Sequence, residues 1–152
     1  MKTALFPGSF DPFTRGHADI VTRGLTLFDE IVIAVGHNVE KPGWISCAER
    51  VSALRRLYAK EKRVRVEQYT GLTVDFAKEV GATAILRGVR SLKDFEYERE
   101  IAQVNRALTG METILLAADP QLSCISSSTV RELAYFGRDI QEYLPLGLKY
   151  NR

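Results

Sequence analysis

Along the chain, short apolar runs alternate with stretches whose apolar residues recur every three to four positions. "TALF" at 3–6 is the first run, and "EIVIAVG" (30–36), "VRVEQY" (64–69), "ATAILRGV" (82–89) and "ETILLAA" (112–118) follow it. A near-continuous run such as "EIVIAVG" predicts a strand covered on both faces. The stretches between them predict helices. "ADIVTRGLTLF" sets Ile20, Val21, Gly24, Leu25 and Phe28 on one face. Ser46 and Glu49 are spaced as a capping box before "CAERVSALRRLYAKEK", whose stripe is Val51, Leu54 and Tyr58.

A short helix in "TVDFAKEVG" closes on Gly81 in a left-handed C′ position. A long one runs from about Ser91 to Leu108, with Tyr97, Ile101, Val104 and Leu108 in register and Gly110 ending it. "SSSTVRELAYFG" is the fifth helix, and the tail "DIQEYLPLGLKYNR" holds a further turn or two before Pro145. Such alternation predicts right-handed βαβ units. The expected fold is α/β, a single Rossmann-like domain over residues 1–152: a doubly wound, five-stranded parallel sheet with helices on both faces. Sheets of this kind bind ligands outside the carboxyl ends of their strands, near the point where strand order reverses. The segments after strands one, two, four and five are therefore where function is expected.

Composition narrows the options. At 152 residues the chain can bury a real core. Its 21 basic and 19 acidic residues leave +2, too mild for a nucleic-acid-binding protein, so cationic chemistry must come from local clusters. No apolar run reaches the length of a membrane helix and the start lacks a signal-peptide pattern, so no membrane role is expected. Cys47 and Cys124 lie far apart and only two His are present, so two free thiols, no metal-ligating cluster and a cytoplasmic location are expected.

The segments beyond the strands carry the chemistry. After strand one comes "PGSFDPFTRGH", where Gly8 and Gly16 permit close backbone approach or positive φ and Pro7 and Pro12 stiffen the path. Ser9 and His17 add side-chain donors, His17 in the first turn of a helix whose free N–H groups favour an anion. After strand two, "GHNVEKPGWIS" offers Lys41, with His37 a weaker candidate and Trp44 read as cover for the core edge. After strand four, Arg87 and Arg90 flank Gly88 and can fork a phosphate, or else pair with Asp94, Glu96 or Glu98. Glu98 reads most simply as a solvated helix residue or a partner for Arg90. After strand five, three serines open a helix, with Thr129 and Glu132 also spaced as a capping box; one serine suffices as a cap, and the others suit an anion or nucleotide. The converging rim of Ser9, His17, Lys41, Arg87, Arg90 and serines suits a polyphosphate.

Several chemistries lack their signatures. The first turn has no G-x-G-x-x-G for hydride transfer, and neither the P-loop pattern nor G-x-S-x-G occurs. Transfer of a nucleotidyl or phosphoryl group by positioning and charge neutralisation remains. A phosphate-monoester acceptor has a second pKa of about 6, so it needs no strong general base at neutral pH.

"PGSFDPFTRGH" resembles the T/H-x-G-H signature of the nucleotidyltransferase superfamily, here Thr14-Arg15-Gly16-His17. "RGVRSLKDFEYE" and "CISSSTVRE" resemble further motifs of the bacterial phosphopantetheine adenylyltransferase family, colinear over nearly the whole chain. The resemblance implies that ATP and 4′-phosphopantetheine give dephospho-coenzyme A and pyrophosphate by direct in-line attack, assisted by Mg²⁺. It implies that His17 binds the phosphates and stabilises the transition state, and that Ser9, where the family commonly has Thr, lies between the substrates. It implies that Lys41, Thr73 and Arg87 meet phosphopantetheine. ATP is implied to touch Phe10, Gly88, Val89, Arg90, Glu98 and the loop Leu122, Ser123, Cys124, Ile125, Ser126, Ser127 and Ser128. A homohexamer and feedback binding of coenzyme A come with the resemblance too. The rival readings are the same chemistry on another acceptor, such as nicotinamide mononucleotide or a cytidylyl acceptor, and a non-catalytic nucleotide-binding module.

Overall fold

The computed structural model describes residues 1–151. The strands are β1 (Thr3–Gly8), β2 (Glu30–Gly36), β3 (Val64–Tyr69), β4 (Ala84–Val89) and β5 (Glu112–Ala117). Between and after them run α1 (Arg15–Gly24), α2 (Cys47–Leu57), α3 (Thr73–Glu79), α4 (Leu92–Thr109) and α5 (Ser127–Tyr135), with a 3-10 turn at Gln141–Tyr143. All pairings are parallel, in the order β3-β2-β1-β4-β5. The chain leaves β1 in one direction and returns on its other side with β4, so strand order reverses between those two strands. The expected doubly wound sheet is the observed one.

Period-two alternation divides the core. Ala4, Phe6, Ile31, Ile33, Val35 and Leu86 point to the face covered by Ile20 and Val21 of α1 and Val51 and Leu54 of α2. Leu5, Val32, Ala34 and Ile85 point the other way, onto Val74 and Ala77 of α3. Gly24 lets α1 close onto the sheet, since a Cβ there would stand 2.7 Å from both Ile31 Cδ1 and Leu86 Cδ2. Helices α1 and α2 stop short of their apolar patterns: Leu25 and Phe28 pack against the core from the turn after α1, and Tyr58 does so from the C-cap of α2.

Helix α4 departs from expectation. It has the predicted extent, with Ser91 as N-cap and Gly110 in the left-handed C-cap conformation (φ 80°). Its apolar stripe nevertheless faces outward: Tyr97 is 60% exposed, Val104 57% and Leu108 61%, and only Glu98 of the helix is buried. Periodicity reports which residues share a face, not what that face meets. Edge strand β5 is only partly buried as well.

Candidate active site

Thr14 caps α1, and the cap is also where His17 is held. Thr14 Oγ1 accepts from the His17 N–H at 3.4 Å, and His17 Nδ1 accepts from the Thr14 N–H at 3.0 Å. This is a capping box with histidine in the place usually taken by Glu or Gln. A ring nitrogen that accepts a backbone N–H carries no proton, so the proton of the neutral imidazole sits on Nε2. Three phenylalanines surround the ring, with centroid distances of 5.0 Å to Phe10, 5.3 Å to Phe13 and 6.3 Å to Phe6. Burial, then the charges of Arg87 and Arg90, lower the His17 pKa to about 3. The free protein holds a neutral histidine.

The loop from Ser9 to Pro12 is bound on two sides. The Asp11 carboxylate accepts from the N–H groups of Trp44 (2.7 Å) and Ile45 (2.9 Å), fixing the segment after β2. Buried Arg50 donates to the Ser9, Gly36 and Ile45 carbonyls. From α5, Arg131 donates to the Asp11 carbonyl at 2.6 Å and Ser127 Oγ to the Pro12 carbonyl at 2.7 Å. The Asp11–Pro12 peptide is cis. Of the two alternatives expected of Gly8 and Gly16, close approach or positive φ, neither takes positive φ, which in this loop falls on Phe10 (50°). What Gly8 supplies is room: a Cβ there would meet the Phe10 ring at 2.9 Å. Phe10 lines the site while being 2% exposed overall, its ring packed with those of Phe6 and Phe13.

At the end of β4, both arginines have carboxylate partners. Arg87 forms a two-pronged pair with Glu98, at 2.9 and 2.8 Å, and donates a third bond to the Pro7 carbonyl. Arg90 pairs with Asp94 at 3.2 Å. The reading of Glu98 as solvated or as a partner of Arg90 is corrected: it is buried and belongs to Arg87. The pairing spans 11 residues, beyond what helix-surface spacing would suggest.

At the start of α5, Ser126 is the N-cap and accepts from the Thr129 N–H at 3.1 Å. The predicted Thr129–Glu132 box is therefore displaced by one turn, because Ser126 already satisfies the helix start. On the other predicted box, Ser46 accepts from the Glu49 N–H, but the Glu49 carboxylate turns to Arg56 and Asn151.

These parts enclose a cavity of about 350 Å³ beside the reversal of strand order. Ser9, Phe10, His17, Arg87, Gly88, Arg90, Glu98, Leu122, Ile125, Ser126, Ser127 and Ser128 all line it. Val89, Ser123 and Cys124 do not, although they flank residues that do. A second cavity of about 330 Å³ adjoins it and shares Pro7, Gly8, Arg87 and Glu98. Its remaining wall is largely apolar, from Leu72, Val74, Ile85, Tyr97, Ile101, Val104 and Leu108, with Thr73, Asn105 and Thr113 as polar points. The segment after β3, which the strand-end rule did not single out but in which the resemblance puts Thr73, also contributes to a cavity. Lys41 is exposed and lines neither cavity.

The comparisons with known proteins agree with this geometry. Residues 5–133 match the cytidylyltransferase-like family. A Porphyromonas gingivalis protein named phosphopantetheine adenylyltransferase is 55% identical over 144 residues, covering 95% of this chain and 94% of its own. A Bacteroides fragilis protein of the same name is 49% identical over 149 residues, covering 98% and 99%. The chain belongs to the phosphopantetheine adenylyltransferase family. Its fold is also that of a Francisella tularensis bifunctional NMN adenylyltransferase/ADP ribose pyrophosphatase, with a TM-score of 0.66 at 15% identity; the match covers 94% of this chain and 44% of that longer one.

Within this phosphopantetheine adenylyltransferase fold, sequence reasoning missed Arg131, Asp11 and Arg50. Arg131 lines the first cavity and bonds Ser128 Oγ at 3.3 Å. Its signal was its place one turn beyond the serines, on the same face of α5. Asp11 and Arg50 act through backbone groups distant in sequence, which no local pattern announces.

Proposed function

We propose that the chain transfers the adenylyl group of ATP to the phosphate of 4′-phosphopantetheine, giving dephospho-coenzyme A and pyrophosphate. The observation that carries this reading is the pair of adjoining cavities that meet at Arg87. The first offers hydroxyls, a helix start and guanidiniums to a nucleotide triphosphate. The second offers an apolar trough with a few polar points, matched to the pantetheine arm. A phosphate held at Arg87 stands at the junction.

The reaction then needs alignment more than proton transfer. An oxygen of the acceptor phosphate attacks the α-phosphorus, the bond from that phosphorus to the bridging oxygen breaks, and pyrophosphate leaves with the electron pair. His17 serves as a neutral donor, its Nε2–H directed at oxygens around the α-phosphorus. One such donor is worth a factor of about 10²–10³ in rate. Ser9 lies where both substrates meet, and Arg90, Arg131 and the serines of the α5 start hold the leaving phosphates. Lys41 reaches the acceptor only if its loop folds inward on binding.

Magnesium fits the site as a companion of the nucleotide. Asp94 and Glu98 are both committed to arginines, so the groups left facing the triphosphate are hydroxyls and N–H donors. Such a surface suits Mg²⁺ carried on phosphate oxygens with its own water, as that ion prefers. When bound, it supplies neutralising charge to the departing pyrophosphate.

A homohexamer and coenzyme A feedback belong to the same reading. The exposed stripe of α4 and the neighbouring Ile114 of β5 supply apolar surface for a second copy. Coenzyme A carries both an adenosine and a pantetheine arm, the two shapes the adjoining cavities suit. Among the described residues no helix is long and apolar enough to cross a membrane.

Pyrophosphate release, measured with ATP and a panel of acceptors, tests the assignment. Turnover is expected with 4′-phosphopantetheine; release with nicotinamide mononucleotide alone overturns it.

A further inference from the structure

The cytidylyltransferase-like match ends at residue 133, and the tail after Gly137 supplies no residue to either cavity. The tail nevertheless returns to the first crossover. Leu144 and Leu148 are buried in the same core as Phe13, Val51 and Leu54. Arg56 donates to the Lys149 carbonyl at 3.1 Å and Glu49 accepts from the Asn151 N–H at 2.6 Å, so the last turn is pinned against α2. Two contacts then reach the T-x-G-H segment. Arg15 donates to the Glu142 carbonyl at 3.3 Å, and the Tyr150 hydroxyl accepts from the Phe13 N–H at 3.1 Å, across 137 residues of sequence. They lie on either side of Thr14.

That placement has a consequence for His17. Phe13 is fully buried, so its N–H has no water to turn to and depends on Tyr150. The next N–H along, that of Thr14, is the one that holds His17 Nδ1. The Phe13 ring also lies tilted at 33° over the imidazole. The two N–H groups belong to successive peptides joined at the Phe13 Cα. The Pro12–Phe13 peptide is held at its carbonyl by Ser127 and at its N–H by Tyr150, and releasing the N–H frees φ of Phe13, which shifts both the Thr14 N–H and the ring.

We propose that Tyr150 is a positioning residue for His17, fixing the Phe13–Thr14 backbone that sets the direction of its Nε2–H. The role rests on the adenylyl-transfer reading, since it is that reaction which His17 serves. It concerns the transition state more than nucleotide binding, because ATP is gripped by many other groups while the direction of one donor governs the rate.

The full-length chain with Tyr150→Phe tests this, as the ring and its packing are kept and only the hydroxyl is lost. Alongside it, Val64→Ala removes methyl groups from the same core at a site remote from the loop. For Tyr150→Phe, kcat is expected to fall about tenfold with KM for ATP changed less than about twofold. The ¹⁵N resonances of the His17 imidazole are expected to move in the same variant, reporting a weakened bond to Nδ1. Val64→Ala is expected to lower the melting temperature with kcat within about twofold of the parent. Unchanged kcat and unmoved imidazole resonances in Tyr150→Phe overturn the proposal. So does an equal loss of kcat in Val64→Ala, which would mark a general effect of stability. If the parent chain fails to release pyrophosphate with 4′-phosphopantetheine, the functional reading falls, while the imidazole resonances still decide for or against Tyr150.

Discussion

Arg87 and Glu98 meet in two parallel hydrogen bonds, 2.9 and 2.8 Å, at the wall between the two cavities. The pair is unequal in exposure: the Glu98 side chain is 7% accessible and that of Arg87 32%. Removing one partner therefore leaves very different survivors. Arg87→Ala strands a buried carboxylate and is expected to destabilise by about 3 kcal/mol. Glu98→Ala leaves a guanidinium that still reaches water and the Pro7 carbonyl, and is expected to cost about 1 kcal/mol. Urea unfolding of the two variants checks the asymmetry; equal losses would contradict it. Arg87→Lys is expected to raise KM for the acceptor about tenfold, because an ammonium cannot hold Glu98 with two parallel bonds and still keep a donor for the phosphate.

His17→Ala is expected to lower kcat by about 10²-fold or more with little change in ATP affinity, read from turnover and from nucleotide titration. An active His17→Ala protein would remove the histidine from the mechanism.

The lowered pKa of His17 also ties stability to pH. In the unfolded chain the imidazole takes up a proton as pH falls below 6.5, whereas in the folded protein it resists until about 3. The unfolded state binds more protons across that window, so the contribution of His17 is complete above pH 6.5 and is lost as the pH falls toward 3. Urea midpoints measured between pH 7 and 4 are expected to decline less steeply in His17→Gln than in the parent. An acid limb near pH 6 in kcat/KM for the acceptor is expected to belong to the substrate phosphate.

Asp11 offers a test of the loop itself. Asp11→Ala strips two N–H groups, those of Trp44 and Ile45, of their common acceptor, and Ile45 is buried. A loss of about 2 kcal/mol is expected in denaturant unfolding.

The outward stripe of α4 predicts assembly. Val104→Glu places a charge in the middle of that stripe, which also walls the second cavity, and is expected to reduce the oligomer seen by sedimentation, with the secondary structure retained. A parent chain that sediments as a monomer would refute the assembly.

Much of this molecule was legible in order along the chain. A run such as "EIVIAVG" is what a strand buried on both faces looks like, and five apolar runs separated by helical patterns leave few topologies besides a parallel doubly wound sheet. The T-x-G-H segment, the arginines after β4 and the serines before α5 were identifiable because residue type and local spacing carry their chemistry. Pairing of these arginines with Asp94, Glu96 or Glu98 is among the readings the sequence allows; which carboxylate goes to which arginine was not legible, since it depends on the angle at which α4 leaves β4. The outward stripe of α4 was not either: periodicity is the same whether a face meets the core, a substrate or another subunit.

The sequence by itself determined the elements, their parallel sheet and the rim at which polar groups gather, because hydrophobic period and helix-end chemistry are local and act wherever the chain goes. Only the tertiary structure decided that His17 is neutral and donates from Nε2, that Arg87 belongs to Glu98 and that the tail reaches Phe13. Each of these follows from which unsatisfied backbone or charged group is brought within hydrogen-bond distance of which other, and desolvation makes such pairings obligatory only once the core has closed around them.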